Sequence, residues 1–246
     1  MQDATSRRSL FFYLSLLKIA KVKRIPFVIW GGIGPLSKGG KRKVKKILPS
    51  ADALYLRSAT DIRETVAICR EVNPKLSPDP AFLLPTRKRR KQNTLILAMK
   101  KGTKPPVSAI KELIQHQRLS PIVIAMSAED TSCSQKLAKK LEAPVFTPQN
   151  LSSLTDWLAS ARLVLASRLH AGILALNCAT PTLLLCDGGK CDALVRDISM
   201  LTENPPICST TDKTLAENAV RLLSQPKENA EETHRLLISK IKKAQP

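Results

Sequence analysis

Leu163–Leu185 reads LVLASRLHAGILALNCATPTLLL. Leu163 to Ala166 is an apolar run of strand length that ends at Ser167-Arg168, and Ala171 to Leu176 is rich in the strong helix formers alanine and leucine. Thr182 to Leu185, entered through Pro181, gives a second strand. A strand, a helix and a strand joined by short connections form a crossover unit, the building block of a mainly parallel sheet.

The same alternation extends upstream. Thr94 to Met99 reads as a strand, Ser108 to Gln117 as a helix, Pro121 to Met126 as a strand and Ser132 to Leu141 as a helix. Val145-Phe146 gives a brief strand, and Ser152 to Ala159 a helix with Trp157 and Leu158 facing inward. Leu215 to Leu223 and Ala230 to Lys243 read as closing helices. A C-terminal α/β domain is therefore expected over residues 93–246, preceded by an exposed basic linker at residues 87–92 that contains the run Arg87 to Lys91. Residues 1–86 form an N-terminal α/β domain in this reading. It has a buried strand from Ile25 to Ile29 running into Trp30-Gly31-Gly32-Ile33-Gly34-Pro35, and a basic helix over Lys38 to Leu48. A strand at Leu54 to Leu56 and a helix from Thr60 to Cys69 follow, and Pro74, Pro78, Pro80 and Pro85 mark an irregular exit. In open α/β sheets ligands sit beyond the carboxyl ends of strands, so the loops after Ile29, Ala166 and Leu185 are the candidate positions, and a cleft between the domains is the expected site.

Composition narrows the function classes. A chain of 246 residues with 43% hydrophobic content is too apolar for disorder. Six cysteines without a CxxC pair and three histidines supply no zinc spacing, so no metal is expected, and the cysteines suit a reduced cytoplasmic setting better than a disulfide framework. No apolar run reaches membrane-spanning length. Ser9 to Val22, flanked by Arg7, Arg8, Lys23 and Arg24, is expected to be an amphipathic core helix, with peripheral membrane contact as the lesser alternative. The net charge of +20 is concentrated early: residues 1–91 hold 21 Lys or Arg against 6 Asp or Glu, and residues 92–246 hold 19 against 14. Such a field favours phosphorylated substrates, anionic lipid or nucleic acid. Nucleic acid is disfavoured, since none of the nine aromatic residues alternates with the basic clusters.

Ser167-Arg168-Leu169-His170 joins a strand to a helix start. There an arginine can fork onto a phosphate or carboxylate and a histidine can donate to an anion or transfer a proton. The bland alternative pairs Arg168 with an acidic neighbour and leaves His170 as a structural helix-start residue. Cys186-Asp187-Gly188-Gly189-Lys190 follows the next strand and offers Lys190 as a mobile cation, though it lacks the P-loop pattern. Gly31, Gly32 and Gly34 lack the GxGxxG spacing of a dinucleotide fingerprint, and Asp79-Pro80 can simply cap a turn.

Taken together and in order, these segments resemble the polysaccharide pyruvyl transferase family. Gly32-Ile33-Gly34-Pro35-Leu36 is similar to its GIGPL loop, Leu56-Arg57 to its strand-end arginine and Asp79-Pro80-Ala81-Phe82 to its DPAF-like string. Ser167-Arg168-Leu169-His170-Ala171 resembles its RLH motif, and Asp187 with Lys190 and Asp192 its YDPK-type loop. Where the family has an arginine-aspartate pair followed by a serine, this chain has Ser58 and Asp61.

The resemblance implies an α/β fold of two Rossmann-like domains in the GT-B arrangement, the first shortened at its N-terminus by about half a domain. It implies a transferase with no cofactor that moves a pyruvyl group from phosphoenolpyruvate to a sugar or lipid-linked glycan acceptor, working in the cytoplasm or at the inner face of the membrane. His170 would be the catalytic acid. Arg168, Lys190, Gly32, Gly34 and Arg57 would bind substrate, with Asp79 and Asp187 in supporting roles. The alternatives are a GT-B-like glycosyltransferase using a nucleotide sugar, or a non-catalytic basic binding module or fragment.

Overall fold

Short apolar runs become strands throughout the computed structural model, which describes residues 7–86, 89–186 and 189–244. The chain divides into two units, one running to Pro80 and including the residues from Ser239 onward, the other Ala81–Ile238. The first contains α1 (Arg7–Val22), β1 (Val28–Gly31), α2 (Lys38–Lys45), β2 (Ala53–Leu56), α3 (Ala59–Ile68) and β3 (Lys75–Leu76). Its strands are parallel in the order β1-β2-β3, with Val28 opposite Ala53 and Tyr55 opposite Lys75. Ile29, Ile33, Val44, Leu48, Leu54 and Leu56 form its core, joined by Leu10 and Leu14 of α1.

Two expectations change here. The first strand starts at Val28 rather than Ile25, since Pro26 has no amide to give to a ladder, and both Ile25 and Val28 are exposed. α1 is a core helix along one stripe only, because Phe11, Phe12, Leu16, Ile19 and Val22 face away from the core.

The second unit alternates β4 (Thr94–Ala98), α4 (Val107–Gln117), β5 (Ser120–Ile124), α5 (Thr131–Leu141), β6 (Val145–Phe146) and α6 (Leu151–Ser160). It continues with β7 (Leu163–Ala166), α7 (Leu169–Asn177), β8 (Thr182–Leu185), α8 (Lys190–Ser199), β9 (Ile207–Thr210) and α9 (Leu215–Leu223), before α10 (Lys227–Ala244). The six strands are all parallel, in the order β6-β5-β4-β7-β8-β9. β4 and β7 are buried along their whole length, as central strands covered on both faces must be, while β6 and the start of β5 reach solvent. The chain winds outward from β4 to β6 and then resumes on the other side of β4 at β7. The reversal places a topological switch point between β4 and β7. Ala98 is paired with Ala166, so the loops that leave these two strands begin side by side. Both units are thus α/β with parallel, Rossmann-like sheets.

The basic run at the expected linker is docked on the second unit where it is described. Arg89 donates from Nε and Nη2 to Asp156 at 3.0 and 2.7 Å, Gln92 N to Ser160 O at 2.7 Å, and Lys91 Nζ to Thr180 Oγ1. Arg87 and Lys88 lie outside the described residues. Burial pulls the Lys91 ammonium down to about 8, a shift that nearby Lys227 reinforces and Cys178 opposes. A base with a lowered folded pKa is penalised while both states are protonated. Stability therefore rises as pH climbs from the folded value toward the unfolded one. Lys91→Met should raise stability at neutral pH by roughly 1–3 kcal/mol and remove the rise between about pH 8 and 10. Urea unfolding across that range checks it, and an unchanged pH profile would contradict the assignment.

Candidate functional site

The switch point of the second unit is held together by two small side chains. Ser167, the first residue after β7, accepts from Lys100 N at 2.8 Å through its Oγ and lies 2.8 Å from Thr103 Oγ1. It thereby ties the Lys100-Lys101-Gly102-Thr103 loop after β4 to the loop after β7. Asp130, wholly buried just before α5, accepts from Arg168 Nε at 2.8 Å and Nη2 at 2.5 Å, from Lys101 N at 3.0 Å and from Ser127 Oγ at 2.9 Å. Arg168 Nη2 also reaches Ser127 Oγ at 3.0 Å. One carboxylate therefore fixes the loops after β4, β5 and β7.

Burial pushes the Asp130 carboxyl up. The hydrogen bonds from Arg168, Lys101 N and Ser127, together with the guanidinium charge, outweigh it and hold the carboxyl below the ordinary aspartate range. Arg168 thus has the acidic partner that the bland alternative supposed. The fork uses Nε and Nη2, and the side chain keeps about 28% of its surface in solvent, so the guanidinium is oriented by Asp130 without being enclosed.

Arg168 caps α7, and His170 is the second residue of that helix and exposed; Leu169 between them is half-buried. From Ala171 to Asn177 the helix is buried on every side, so its start is a rigid mount for both residues. Lys190 opens α8 behind Gly189 and is exposed. Cys191 Sγ lies 3.9 Å from Ser167 O, which sets the start of α8 beside the β7 loop. Arg168, His170 and Lys190 are therefore gathered at the carboxyl ends of the adjacent strands β7 and β8. Asp187 lies outside the described residues.

The remaining candidates lie in the first unit. Arg57, at the end of β2, contacts Asp61 and Asp79 at 3.5 Å each, and Ser58 caps α3 by accepting from Asp61 N at 3.0 Å. A Cβ added to Gly32 would lie 2.9 Å from Arg57 Nη2, so the guanidinium packs directly under the glycine loop. Gly34 adopts φ +110°, and a Cβ there would meet Glu64 Oε2 at 2.7 Å. Gly34, Pro35, Lys41, Arg42, Lys45 and Glu64 help line a partly open cavity of ≈ 380 Å³. Gly34→Ala should cost roughly 1–3 kcal/mol through backbone strain and the displaced carboxylate, measured by denaturant unfolding. Wild-type stability in that variant would show that the loop is more compliant than its contacts imply.

Asp130, Ser127 and the Lys100–Lys101 loop were not singled out from the sequence. The available signal was Ser127-x-x-Asp130 between a strand and a helix, a pattern that equally describes an ordinary exposed helix start. Among the described residues no group of three or more His, Cys, Asp or Glu is placed to hold a metal ion.

The family model described as "Polysaccharide pyruvyl transferase" matches residues 1–185. No curated protein sequence matches the chain. Among solved structures, UDP-GlcNAc 2-epimerase from Neisseria meningitidis bound to UDP-GlcNAc is similar with a TM-score of 0.59 at 11% identity, over 92% of this chain and 72% of that one. HepE from Anabaena in complex with UDP and glucose has a TM-score of 0.57 at 12% identity, over 93% and 71%. A variant of TarM from S. aureus in complex with Fondaparinux, alpha-GlcNAc-glycerol and UDP has a TM-score of 0.57 at 11% identity, over 83% and only 45% of its chain. At such identities these likenesses show the fold alone.

Proposed function

The chain belongs to the polysaccharide pyruvyl transferase family, and from that premise we propose that it transfers a pyruvyl group from phosphoenolpyruvate to a pair of hydroxyls on a sugar of a cell-surface polysaccharide or its precursor. The observation that carries the reading is that the family match runs through Arg168-Leu169-His170, and this segment begins at the switch point of a Rossmann-like sheet.

Phosphoenolpyruvate is multiply anionic near neutral pH. Arg168, oriented by Asp130, and Lys190, at a helix start, supply the cations for its phosphate and carboxylate. His170 gives a proton to the methylene carbon, leaving C2 electrophilic. A sugar hydroxyl adds to C2 and releases its proton, and the C2–O bond to phosphorus breaks as inorganic phosphate leaves. A second hydroxyl then closes the ketal, its proton passing to phosphate or solvent. Lys190 lies beyond the matched residues, so its role rests on placement alone.

A nucleotide-sugar glycosyltransferase is the second reading. It is favoured by the structural neighbours, whose complexes hold UDP or UDP-GlcNAc, and by the strand order, which suits a nucleotide at the switch point. Calorimetric titration separates the two. Phosphoenolpyruvate should bind, and Lys190→Met should weaken it by roughly 1–3 kcal/mol while the thermal midpoint stays put. Binding of UDP with no heat from phosphoenolpyruvate would support the second reading instead.

A further inference from the structure

We propose that α1 is a membrane-docking helix that lays its outward apolar face on an anionic lipid surface. α1 has two apolar stripes. Leu10, Leu14 and the partly buried Leu17 pack on the core of the first unit. On the opposite side Phe12, Leu16 and Ile19 follow one another at helical spacing and are 58%, 49% and 54% exposed. Phe11 at 72% and Val22 at 82% widen the face, and Ile25 at 52% continues it past the helix end. Single exposed apolar residues are ordinary, but a contiguous stripe with aromatic rings marks a contact surface.

Charge identifies the occupant. From Arg7 to Ala51 the chain has 12 Lys or Arg and not one Asp or Glu. Arg7, Arg8, Lys18, Lys23 and Arg24 border the stripe, all exposed, and Lys21 donates to Lys46 O at 3.3 Å, which ties this edge to the basic helix α2. An apolar face rimmed by cations, on a segment without Asp or Glu from Arg7 to Ala51, complements an anionic bilayer in both of its layers. A second copy fits poorly, because it would set two cationic rims against each other. Nucleic acid would satisfy the cations and leave the Phe, Leu, Ile and Val side chains in water. Among the described residues no helix is long and apolar enough to cross a membrane, so this contact lies along the surface.

The inference does not depend on the pyruvyl reading, and its test measures partitioning rather than turnover. The full chain is sedimented with phosphatidylcholine vesicles containing about 30 mol % phosphatidylglycerol, and with phosphatidylcholine alone. The expected result is binding to the anionic vesicles only, weakened about tenfold or more by raised salt and by either Phe12→Glu or Ile19→Glu. Val220→Glu, at an exposed position on α9, adds the same charge elsewhere and should leave binding unchanged. Circular dichroism shows that each variant is folded. Absence of sedimentation, or equal binding by wild type and both α1 variants, overturns the proposal. So does a size-exclusion shift in Phe12→Glu from dimer to monomer without vesicle binding, which would make the face a self-interface.

Discussion

His170→Gln will keep phosphoenolpyruvate affinity within a few fold and slow pyruvyl transfer by roughly 10²–10⁴-fold. Glutamine preserves much of the size and hydrogen-bonding reach of the imidazole but cannot deliver a proton to carbon. The side chain is exposed at the start of a helix whose body is buried, so the exchange should not disturb folding. Affinity is read by calorimetry and transfer by phosphate release in the presence of acceptor. Transfer at the wild-type rate would remove His170 from the chemistry and leave it as a helix-start residue.

Asp130→Ala is expected to cost about 3–5 kcal/mol, because it strands the partly buried Arg168 guanidinium and removes the acceptor of Lys101 N and Ser127 Oγ together. Arg168→Ala has the converse defect, leaving a wholly buried carboxylate without its cation. Loss of activity in Arg168→Ala therefore speaks to substrate binding only after its stability has been measured. Removing both partners should cost less than the two single penalties combined. The pH dependence has a defined sign. A carboxyl with a lowered folded pKa contributes stability above its unfolded value, near pH 4, and loses that contribution as pH falls through the folded value. Asp130→Asn should accordingly flatten the acid limb of the stability profile. A small loss in Asp130→Ala, or an acid limb unchanged in Asp130→Asn, would contradict the role given to this pair.

What could be read in the sequence was local. Runs such as Leu163 to Ala166 and Thr182 to Leu185 show their strands because an apolar segment of that length between turn residues has few other uses. β3 escaped because it is only Lys75-Leu76 behind Pro74, and β9 because Ile207-Cys208 runs straight into the polar Ser209-Thr210, so only pairing with β2 or β8 makes each a strand. α8 is hard to read locally, since Gly188-Gly189 has the composition of a turn and the helix beyond, KCDALVRDIS, mixes polar and apolar residues evenly.

The candidate site shows the same limit. Arg168 could be found from its place after a strand, but its partner stands 38 residues away in a string that looks like a solvated helix start. The switch point depends on β4 pairing with β7 across two intervening strands, a fact that chain order does not contain. The outward stripe of α1 was visible as apolar residues, yet which side met the core depended on tertiary packing.

The most direct test of pyruvyl transfer supplies the chain with phosphoenolpyruvate labelled in its methylene carbon and, in parallel, with sugar-labelled UDP-sugars, each with candidate glycan acceptors. The proposed function predicts label from phosphoenolpyruvate in an acid-labile ketal on the glycan, released phosphate in equal amount, and none of this with His170→Gln. Sugar label entering the glycan from a UDP-sugar, with none from phosphoenolpyruvate, would contradict it.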